Sequence, residues 1–199
     1  MNRQNFFNHH SLAWDGSIEP KAEKRFSKKI LPMLDLSKSK NILDLGTGTG
    51  IILPYLKMIA AKKADIVALD FSKKMISIAK KKYGNKYEYV IGNAQKLPFK
   101  TESFDSIICY SAFPHFTNKL KALKEGFRTL KKKGKYIIAH SDSRRAINSH
   151  HRKIGSVVEK DYLPDTDEMR DLFRKAGFTN CKIAESKDIY VAIGHKSLK

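Results

Sequence analysis

Short apolar runs alternate with helix-forming stretches from residue 41 onward, and this alternation constrains the fold more than any other feature. Five runs come first and two more follow near the C-terminus: NILDL (41–45), DIVALD (65–70), YEYVIG (87–92), FDSIICY (104–110), KYIIAH (135–140), CKIAES (181–186) and IYVAIGH (189–195). Apolar runs separated by helical stretches are typical of parallel strands joined by crossover helices. The sequence therefore predicts an α/β fold with a seven-stranded, mostly parallel sheet and helices on both faces.

The last two runs are predicted to form a hairpin, because only Lys187 and Asp188 separate them. Two residues cannot hold a crossover helix, so the two strands must run in opposite directions. We therefore expect one antiparallel strand in the C-terminal part of an otherwise parallel sheet.

Two helices have predicted ends. Apolar residues recur at spacings of three and four over 116–131, and Gly134 is expected to close this helix. The second, 165–176, opens with Asp165 or Thr166 as its cap and carries acids in its first turn. Pro54 closely follows the first strand, so it fits only the first turn of the next helix.

The sequence predicts a single domain over residues 1–199 with two additions to the alternating pattern. Residues 1–40 are predicted to be an N-terminal helical lid. Residues 141–164 are predicted to be an insertion on the substrate side, because segments beyond the carboxyl ends of parallel strands commonly enclose ligands. The lid prediction includes two histidines and three aromatic residues: His9, His10, Phe6, Phe7 and Trp14.

Composition bounds the class of protein. Of the 199 residues 41% are apolar, which suffices for one sizeable core. No uninterrupted apolar stretch approaches 18 residues and the N-terminus does not resemble a signal peptide, so we expect no membrane span. Two cysteines, Cys109 and Cys181, give no disulfide framework and indicate a reduced, cytoplasmic protein.

The formal net charge of +19 admits two interpretations. A strongly basic chain is compatible with nucleic acid, because neutralising phosphates supplies much of the affinity for it. However, 31 of the 39 basic residues are lysines scattered along the predicted helices, whereas bidentate recognition favours arginine. Solvated lysine-rich helix faces are the favoured interpretation, and an anionic partner is the alternative.

The stretch NILDLGTGTGI (41–51) places an acid near the end of a strand and three alternating glycines directly after that strand. Such glycines let the backbone approach a nucleoside-like ligand closely. The spacing is G-x-G-x-G, with Ile51 where the dinucleotide fingerprint requires a third glycine or alanine, and no lysine follows to grip phosphates. Asp44 would repel a phosphate but can accept a hydrogen bond from an ammonium group.

Polar residues after the next two strands complete the ligand description. Asp70 ends the second strand, where a carboxylate can hold both ribose hydroxyls. After the third strand, Asn93 can present its amide to an exocyclic amine and Ala94 its backbone N–H to a ring nitrogen. The ligand that fits has a free ribose, an adenine and a cationic amino-acid tail without phosphates, as in S-adenosylmethionine.

At this point the chain resembles the class I S-adenosylmethionine-dependent methyltransferases, specifically the small-molecule, ubiquinone/menaquinone methylase-like branch. The resemblance covers roughly residues 40–140 and rests on the successive motifs ILDLGTGTG, ALDFSKKMISIAKKK, GNAQKLPFKTESFDSIICYSAFPHF and ALKEGFRTLKKKGKYIIAH. It implies a Rossmann-like sheet, S-adenosyl-L-methionine as cofactor and S-adenosyl-L-homocysteine as product. Asn93 departs from the pattern, because many relatives have an aspartate there.

The resemblance implies a set of cofactor-binding residues. The methionine end would lie against Asp44 and the glycines, Asp70 and Phe71 would hold the ribose and flank the adenine, and Asn93 and Ala94 would contact the adenine edge. The full expected set is Asp44, Gly46, Thr47, Gly48, Gly50, Asp70, Phe71, Met75, Asn93, Ala94, Gln95 and Tyr110. The segment YSAFPHF (110–116) occupies the position that usually faces the transferred methyl group.

Histidines are the candidate catalytic residues, because an acceptor that must be deprotonated needs a base that titrates near neutrality. His115 in that segment is the first candidate, and His140 and His151 are the others. If 143–153 is helical, Arg144, Asn148 and His151 share one face, while His150 lies on a more apolar one. Phe113, Arg144 and Asn148 are the predicted substrate-contacting residues.

Three functions follow, in order of preference. The first is methyl transfer to a small molecule by in-line displacement, in a monomer or homodimer. The second is methylation of RNA or protein, suggested by the charge alone, since no nucleic-acid-binding module is recognisable. The third is a metal-binding or non-catalytic relative of this fold. A metal ion is not expected, but its candidate ligands would be His115, His140, His150 and His151.

Overall fold

The computed structural model describes residues 2–12 and 20–198, and its centre is a seven-stranded sheet. The strands are β1 (Asn41–Leu45), β2 (Asp65–Asp70), β3 (Glu88–Ile91), β4 (Phe104–Tyr110), β5 (Leu130–His140), β6 (Thr179–Glu185) and β7 (Tyr190–His195). Their spatial order is β3-β2-β1-β4-β5-β7-β6, and β7 alone in this sheet runs antiparallel to both neighbours. The predicted fold class and the C-terminal hairpin are confirmed.

Helices cover both faces of the sheet. They are α1 (Arg3–His10), α2 (Pro20–Arg25), α3 (Leu31–Leu34), α4 (Leu53–Ile59), α5 (Lys73–Tyr83), α6 (Lys119–Thr129), α7 (Arg144–Ile154) and α8 (Thr166–Lys175). A π-helical turn, Phe26–Ile30, joins α2 to α3, and 3₁₀ turns lie at Phe113–His115 and Ser156–Val158. Trp14 of the predicted lid lies outside the described residues.

The helical ends follow local capping chemistry. Asp165 caps α8 by accepting hydrogen bonds from the backbone N–H groups of Asp167 and Glu168. Of the two predicted caps, Asp165 and Thr166, the structure therefore uses Asp165. Pro54 lies in the first turn of α4, where its missing N–H costs nothing. Ser143 caps α7, so the predicted helix within 141–164 is present.

The prediction for 116–131 was wrong at both ends. Asn118 caps α6 through its side chain, so the helix begins at Lys119 rather than Phe116. Leu130 is already extended and begins β5, and Gly134 lies inside that strand instead of closing the helix. The register of β5 against β4 shifts between Leu130 and Lys135, so this stretch is a bulge that sequence periodicity does not reveal.

Two buried apolar clusters sandwich the sheet, one on each face. A third, smaller cluster seats α1: Phe6 and Phe7 pack with Met75 of α5 and Val158. The N-terminal helix therefore packs against the start of α5, which follows β2, and against the 3₁₀ turn at Ser156–Val158. A lid function for this helix stays a prediction. Among the described residues no helix combines the length and the apolar character needed to cross a membrane.

Candidate active site

The glycine turn after β1 has the backbone conformation that only glycine adopts readily. Gly46, Gly48 and Gly50 have φ values of +76°, +56° and +82°. A Cβ at Gly46 would lie 2.5 Å from the Cβ of Ala112, in the segment after β4. The turn therefore passes so close to the neighbouring segment that a side chain at Gly46 would force one of them to move.

Asp44 is a buried acid that keeps one oxygen without a partner. Its side chain is 1% exposed, Oδ2 accepts a hydrogen bond from the Thr47 hydroxyl at 2.6 Å, and Oδ1 has no partner in the described structure. Burial raises the pKa of Asp44 to about 7; the Thr47 hydrogen bond opposes this, and the nearby charge of Asp70 adds to it. No cation in the described residues pairs with Asp44.

Asp70 ties the second strand to the glycine turn. Its Oδ2 accepts from the backbone N–H of Gly48 at 2.9 Å, and its Oδ1 accepts from that of Ser72 at 2.8 Å. Burial raises the pKa of Asp70 to about 6, although these N–H groups and that of Phe71 lower it. Each oxygen retains a lone pair for a further donor.

The expected adenine-edge residues lie in a tight turn after β3. Asn93 and Lys96 form an isolated bridge, and Asn93 Oδ1 accepts from the backbone N–H of Gln95 at 2.9 Å. The Gln95 amide also donates to the Thr117 hydroxyl at 2.9 Å. Ala94 is buried. The turn is thus held locally, and Asn93 is exposed.

Two aromatic residues of the predicted set occupy other environments. Tyr110 shares a hydrogen bond of 2.7 Å with the Ser141 hydroxyl, and its ring lies edge-on to Phe26 at 4.8 Å. Phe113 is fully buried in the apolar cluster beside Phe116. The structure therefore gives Phe113 a packing role, and contact with a substrate remains a prediction for this residue.

His115 is oriented by an acid that sequence reasoning missed. Its Nδ1 lies 2.6 Å from Oδ2 of Asp161, and the guanidinium of Arg3, from α1, contacts the same oxygen. The side chains of His115 and Asp161 are 14% and 6% exposed, so the pair is largely removed from water. Asp161 is one of few acids in the basic segment 141–164, which is the signal that could have indicated it.

The other predicted catalytic histidines lie beside this pair. The ring centroids of His115 and His151 are 4.8 Å apart, and His151 Nδ1 donates to the main-chain carbonyl of Asp161 at 3.0 Å. Burial lowers the pKa of His151 to about 4 and that of His140 to about 3. Nε2 of His140 is buried without a hydrogen-bond partner in the described residues. The structure thus packs His115 against His151 and places His140 within electrostatic range of both.

The other predicted residues of α7 have two roles: Asn148 anchors a loop, and several residues line a surface groove. Both amide atoms of Asn148 bond to the backbone of Leu163, at 3.0 and 2.7 Å, so this side chain holds the 161–163 loop. Arg144 lies 3.8 Å from Glu185. A surface cavity of about 270 Å³ is lined by five residues of the helix: Arg144, Arg145, Asn148, Ser149 and Arg152.

The described residues do not assemble the histidine metal site considered from sequence. In residues 2–12 and 20–198, no group of three or more His, Cys, Asp or Glu side chains is arranged to hold a metal ion. His150 is exposed, whereas His151 is buried and hydrogen-bonded to Asp161. These neighbouring side chains point in different directions, because successive residues of a helix are about 100° apart.

Helix α1 closes over this site through contacts with both sides. Gln4 donates to the carbonyl of Phe71 at 2.8 Å, and the Ser72 hydroxyl donates to Asn8 at 2.6 Å. The ring of Phe7 lies between two others, 5.6 Å from Phe71 and 5.0 Å from His115. The helix therefore bridges the expected cofactor residues and the histidines.

Comparison with known proteins identifies relatives. Residues 43–138 match the model of a methyltransferase domain family. The chain is 34% identical over 116 residues to a demethylmenaquinone methyltransferase of Thermotoga maritima, covering 58% of this chain and 50% of that protein. It is 36% identical over 143 residues to a ubiquinone/menaquinone biosynthesis C-methyltransferase of Wigglesworthia glossinidia brevipalpis, covering 68% and 57%.

A solved structure agrees over nearly the whole length. The crystal structure of an S-adenosylmethionine-dependent methyltransferase from Thermotoga maritima superposes with a TM-score of 0.72 at 26% identity, covering 98% of each chain. The chain spans between half and three fifths of the length of the first curated relatives that it matches.

Proposed function

Because the chain belongs to the class I S-adenosylmethionine-dependent methyltransferases, of the ubiquinone/menaquinone type, we propose that it transfers a methyl group to a small-molecule acceptor. The cofactor of this family is S-adenosyl-L-methionine, and the product formed from it is S-adenosyl-L-homocysteine. When bound, this cofactor supplies an electrophilic methyl group on a sulfonium sulfur.

One observation carries the proposal: two buried acids, Asp44 and Asp70, lie near the carboxyl ends of adjacent parallel strands, and no cation among the described residues neutralises them. A buried carboxylate is costly unless it is paired, so this arrangement favours a ligand that brings its own positive charge. The unpartnered Oδ1 of Asp44 is suited to an ammonium group. Although the chain has 39 basic residues, none among the described ones pairs with Asp44, which favours a cationic ligand over a phosphate at this position.

The residues fit the cofactor in three further ways. Asp70 offers lone pairs to ribose hydroxyls, while its N–H contacts keep it aimed at the turn. The glycines of the turn, which adopt positive φ, would let the backbone approach the ligand closely. Asn93 and Ala94, in the turn after β3, would contact the edge of the adenine ring. We propose these roles for Asp44, Gly46, Thr47, Gly48, Gly50, Asp70, Phe71, Met75, Asn93, Ala94, Gln95 and Tyr110.

The chain's own residues would contribute alignment and proton transfer. Holding the acceptor in line with the methyl group can supply much of the acceleration. Helix α1 would help to exclude water from the site, because Phe6 and Phe7 are buried against Met75 and Val158. His115, in the 3₁₀ turn after β4, is the proposed proton acceptor, and His140 and His151 are the further candidates.

Acceptor recognition is proposed to involve α7. Arg144, Arg145 and Arg152 line the groove on this helix, and only Arg144 among these three has an acidic partner in the described residues. An acceptor with a carboxylate or another anionic group could be oriented by these guanidinium groups. Asn148 acts by holding the 161–163 loop in place.

The acceptor class can be tested directly. The purified chain is incubated with methyl-labelled S-adenosylmethionine and demethylmenaquinone, in oxidised and reduced forms, alongside small phenols and amines. We expect a labelled small-molecule product, and we expect His115→Ala to lower turnover without changing affinity for S-adenosylhomocysteine. The proposal would be contradicted if RNA or protein were labelled and none of the tested small molecules were.

The free cysteines suit a reducing compartment. Cys109 is buried and Cys181 is half-buried, and burial raises the pKa of both thiols. Both are therefore poorly reactive. We propose a cytoplasmic location and a monomer or homodimer as the working form.

A further inference from the structure

Asp161 holds two imidazoles through two different groups. Its side-chain Oδ2 contacts His115 Nδ1 at 2.6 Å, and its main-chain oxygen accepts from His151 Nδ1 at 3.0 Å. A carbonyl oxygen can only accept, and an ionised carboxylate also only accepts. Both histidines therefore carry their proton on Nδ1 when neutral, and each Nε2 keeps a free lone pair.

The carboxylate of Asp161 stays ionised in this environment. Burial opposes ionisation, but hydrogen bonds from His115 and Arg3 outweigh it and lower the pKa of Asp161. Arg3 is held in turn by the carbonyl of Val157 at 2.9 Å. The negative charge is therefore in place to stabilise an imidazolium when His115 takes up a proton.

His115 lies in the segment that is expected to face the transferred methyl group. The residue belongs to the 3₁₀ turn after β4, three positions beyond Ala112, which contacts the glycine turn. Its ring lies 5.0 Å from Phe7, which in turn packs on Phe71. His115 thus stands between the expected cofactor residues and the loop that contains Asp161.

Building on the methyl transfer proposed above, we propose that Asp161 is a positioning residue that sets His115 as a proton acceptor, and that the acceptors are protic nucleophiles. These are molecules whose O–H, N–H or acidic C–H group gives up its proton during methylation. A thioether or tertiary amine gains a methyl group without losing a proton and would need no such device.

The step balances as follows. The acceptor's bond to hydrogen breaks, and the proton passes to Nε2 of His115. The acceptor atom forms its bond to the methyl carbon while the carbon–sulfur bond breaks, and that electron pair stays on sulfur. Asp161 stabilises the imidazolium, which returns its proton to water after the product leaves.

The first test observes the tautomers without any acceptor. Long-range ¹H–¹⁵N spectra of the full chain with ¹⁵N-labelled histidine, at pH 8, should show His115 and His151 protonated on Nδ1. In Asp161→Ala, His115 should change to a mixture dominated by the Nε2–H form that free imidazole prefers. His151 should be unchanged, since its partner is a main-chain carbonyl, and it serves as the internal control.

Further variants keep this test decisive. Asp161→Asn preserves volume if the alanine variant fails to fold, and Asp161→Glu should restore the Nδ1–H form of His115. Glu159→Gln removes an exposed acid of the same segment and should change neither histidine. A wild-type His115 protonated on Nε2, or one unaffected by every Asp161 substitution, would overturn the positioning role.

The second test probes the acceptor class with 4-nitrophenol, whose ionised form has a distinct absorption. Added with S-adenosylhomocysteine, at a pH where the free phenol is protonated, it should show the bound phenolate spectrum. Asp161→Asn and His115→Gln should each reduce this signal at least tenfold, and Glu159→Gln should not. A neutral bound phenol, or no bound phenol in the wild type, would refute the acceptor class.

Calorimetry with S-adenosylhomocysteine separates the two proposals. If that nucleoside does not bind the wild type, the methyltransferase function fails. If it binds the wild type and Asp161→Asn equally but the tautomers do not respond, only the role of Asp161 fails.

Discussion

The backbone N–H of Gly48 donates to Oδ2 of Asp70 at 2.9 Å, which joins the glycine turn after β1 to the last residue of β2. The same carboxylate fixes Ser72 at the start of α5. Asp70 therefore shapes the proposed cofactor site as well as offering it an acceptor for hydroxyl groups.

Asp70→Ala should weaken binding of S-adenosylhomocysteine by about 10- to 100-fold, since hydrogen bonds to charged groups are worth about 1.5–3 kcal/mol. Calorimetry measures this loss. Asp65→Ala, at the exposed start of the same strand, is the matched control and should bind normally. Equal affinity in the Asp70 variant and the wild type would remove this residue from the site.

Binding of S-adenosylmethionine should strengthen with pH. Burial raises the pKa of Asp44 to about 7, and only the ionised carboxylate pairs with an ammonium group. Affinity should therefore rise about tenfold from pH 6 to pH 8, following the ionised fraction of Asp44. Asp44→Asn should bind more weakly and lose most of this slope. A wild-type affinity that is flat over this range would contradict the role of Asp44.

Acid should destabilise the protein through its buried histidines. Burial lowers the pKa of His140 to about 3, below its unfolded value of 6.5, so its contribution is present above pH 6.5 and is lost as pH falls. At pH 5 the loss of this His140 contribution lowers the unfolding free energy by about 2 kcal/mol. Asp44 and Asp70 act in the opposite direction, because their raised pKa values stabilise the folded state at low pH.

The histidine contribution is isolated by comparing wild type with His140→Gln. Denaturant unfolding at pH 7.5 and pH 5 should show a smaller loss on acidification in the variant. His9→Gln, an exposed histidine of α1, should behave as wild type. Parallel losses in wild type and His140→Gln would show that His140 is not buried as a neutral imidazole.

Gly46→Ala should damage the turn by two separable effects. The φ of +76° costs about 1–2 kcal/mol for any L side chain, and the new methyl group would lie 2.5 Å from Ala112 Cβ. Gly84→Ala, with φ of +61° and nothing within 4 Å, measures the conformational cost alone. Thermal unfolding should therefore rank Gly46→Ala as the more destabilised, and Ala112→Gly should recover the difference. Equal destabilisation of both glycine variants would mean that the contact relaxes freely.

Phe7→Ala should release the N-terminal helix. The ring is 6% exposed and touches both Phe71 and His115, so its loss removes the main apolar contact of α1 with the site. Hydrogen exchange of residues 3–10 should accelerate while the strands remain protected. His9→Ala, on the exposed side of the same helix, should leave exchange unchanged. Unaltered protection in Phe7→Ala would indicate that Phe6 and the polar contacts of Arg3, Gln4 and Asn8 suffice to hold the helix.

The sequence was most informative where one local rule decides the structure. Apolar strands, the C-terminal hairpin, Pro54 in a first turn and the Asp165 cap are each set by neighbours in sequence, although four residues (186–189) join the hairpin strands instead of the predicted two. The bulge between Leu130 and Lys135 was missed, because it arises from the pairing of β5 with β4, which helical periodicity cannot report.

The candidate site was predictable only in part for the same reason. Asp44, Asp70 and the glycines belong to motifs with fixed spacing, so they could be identified. Arg3 and Asp161 are separated by 158 positions and meet only through tertiary packing. No sequence pattern connects either of them to His115, although His115 itself was recognised as a candidate.

Calorimetric titration of the full chain with S-adenosylhomocysteine, and in parallel with NAD, tests the central claim most directly. We predict that one S-adenosylhomocysteine binds per chain and that Asp70→Ala weakens this binding. Titration with NAD should give no heat of binding. Binding of NAD with no response to S-adenosylhomocysteine would contradict the account.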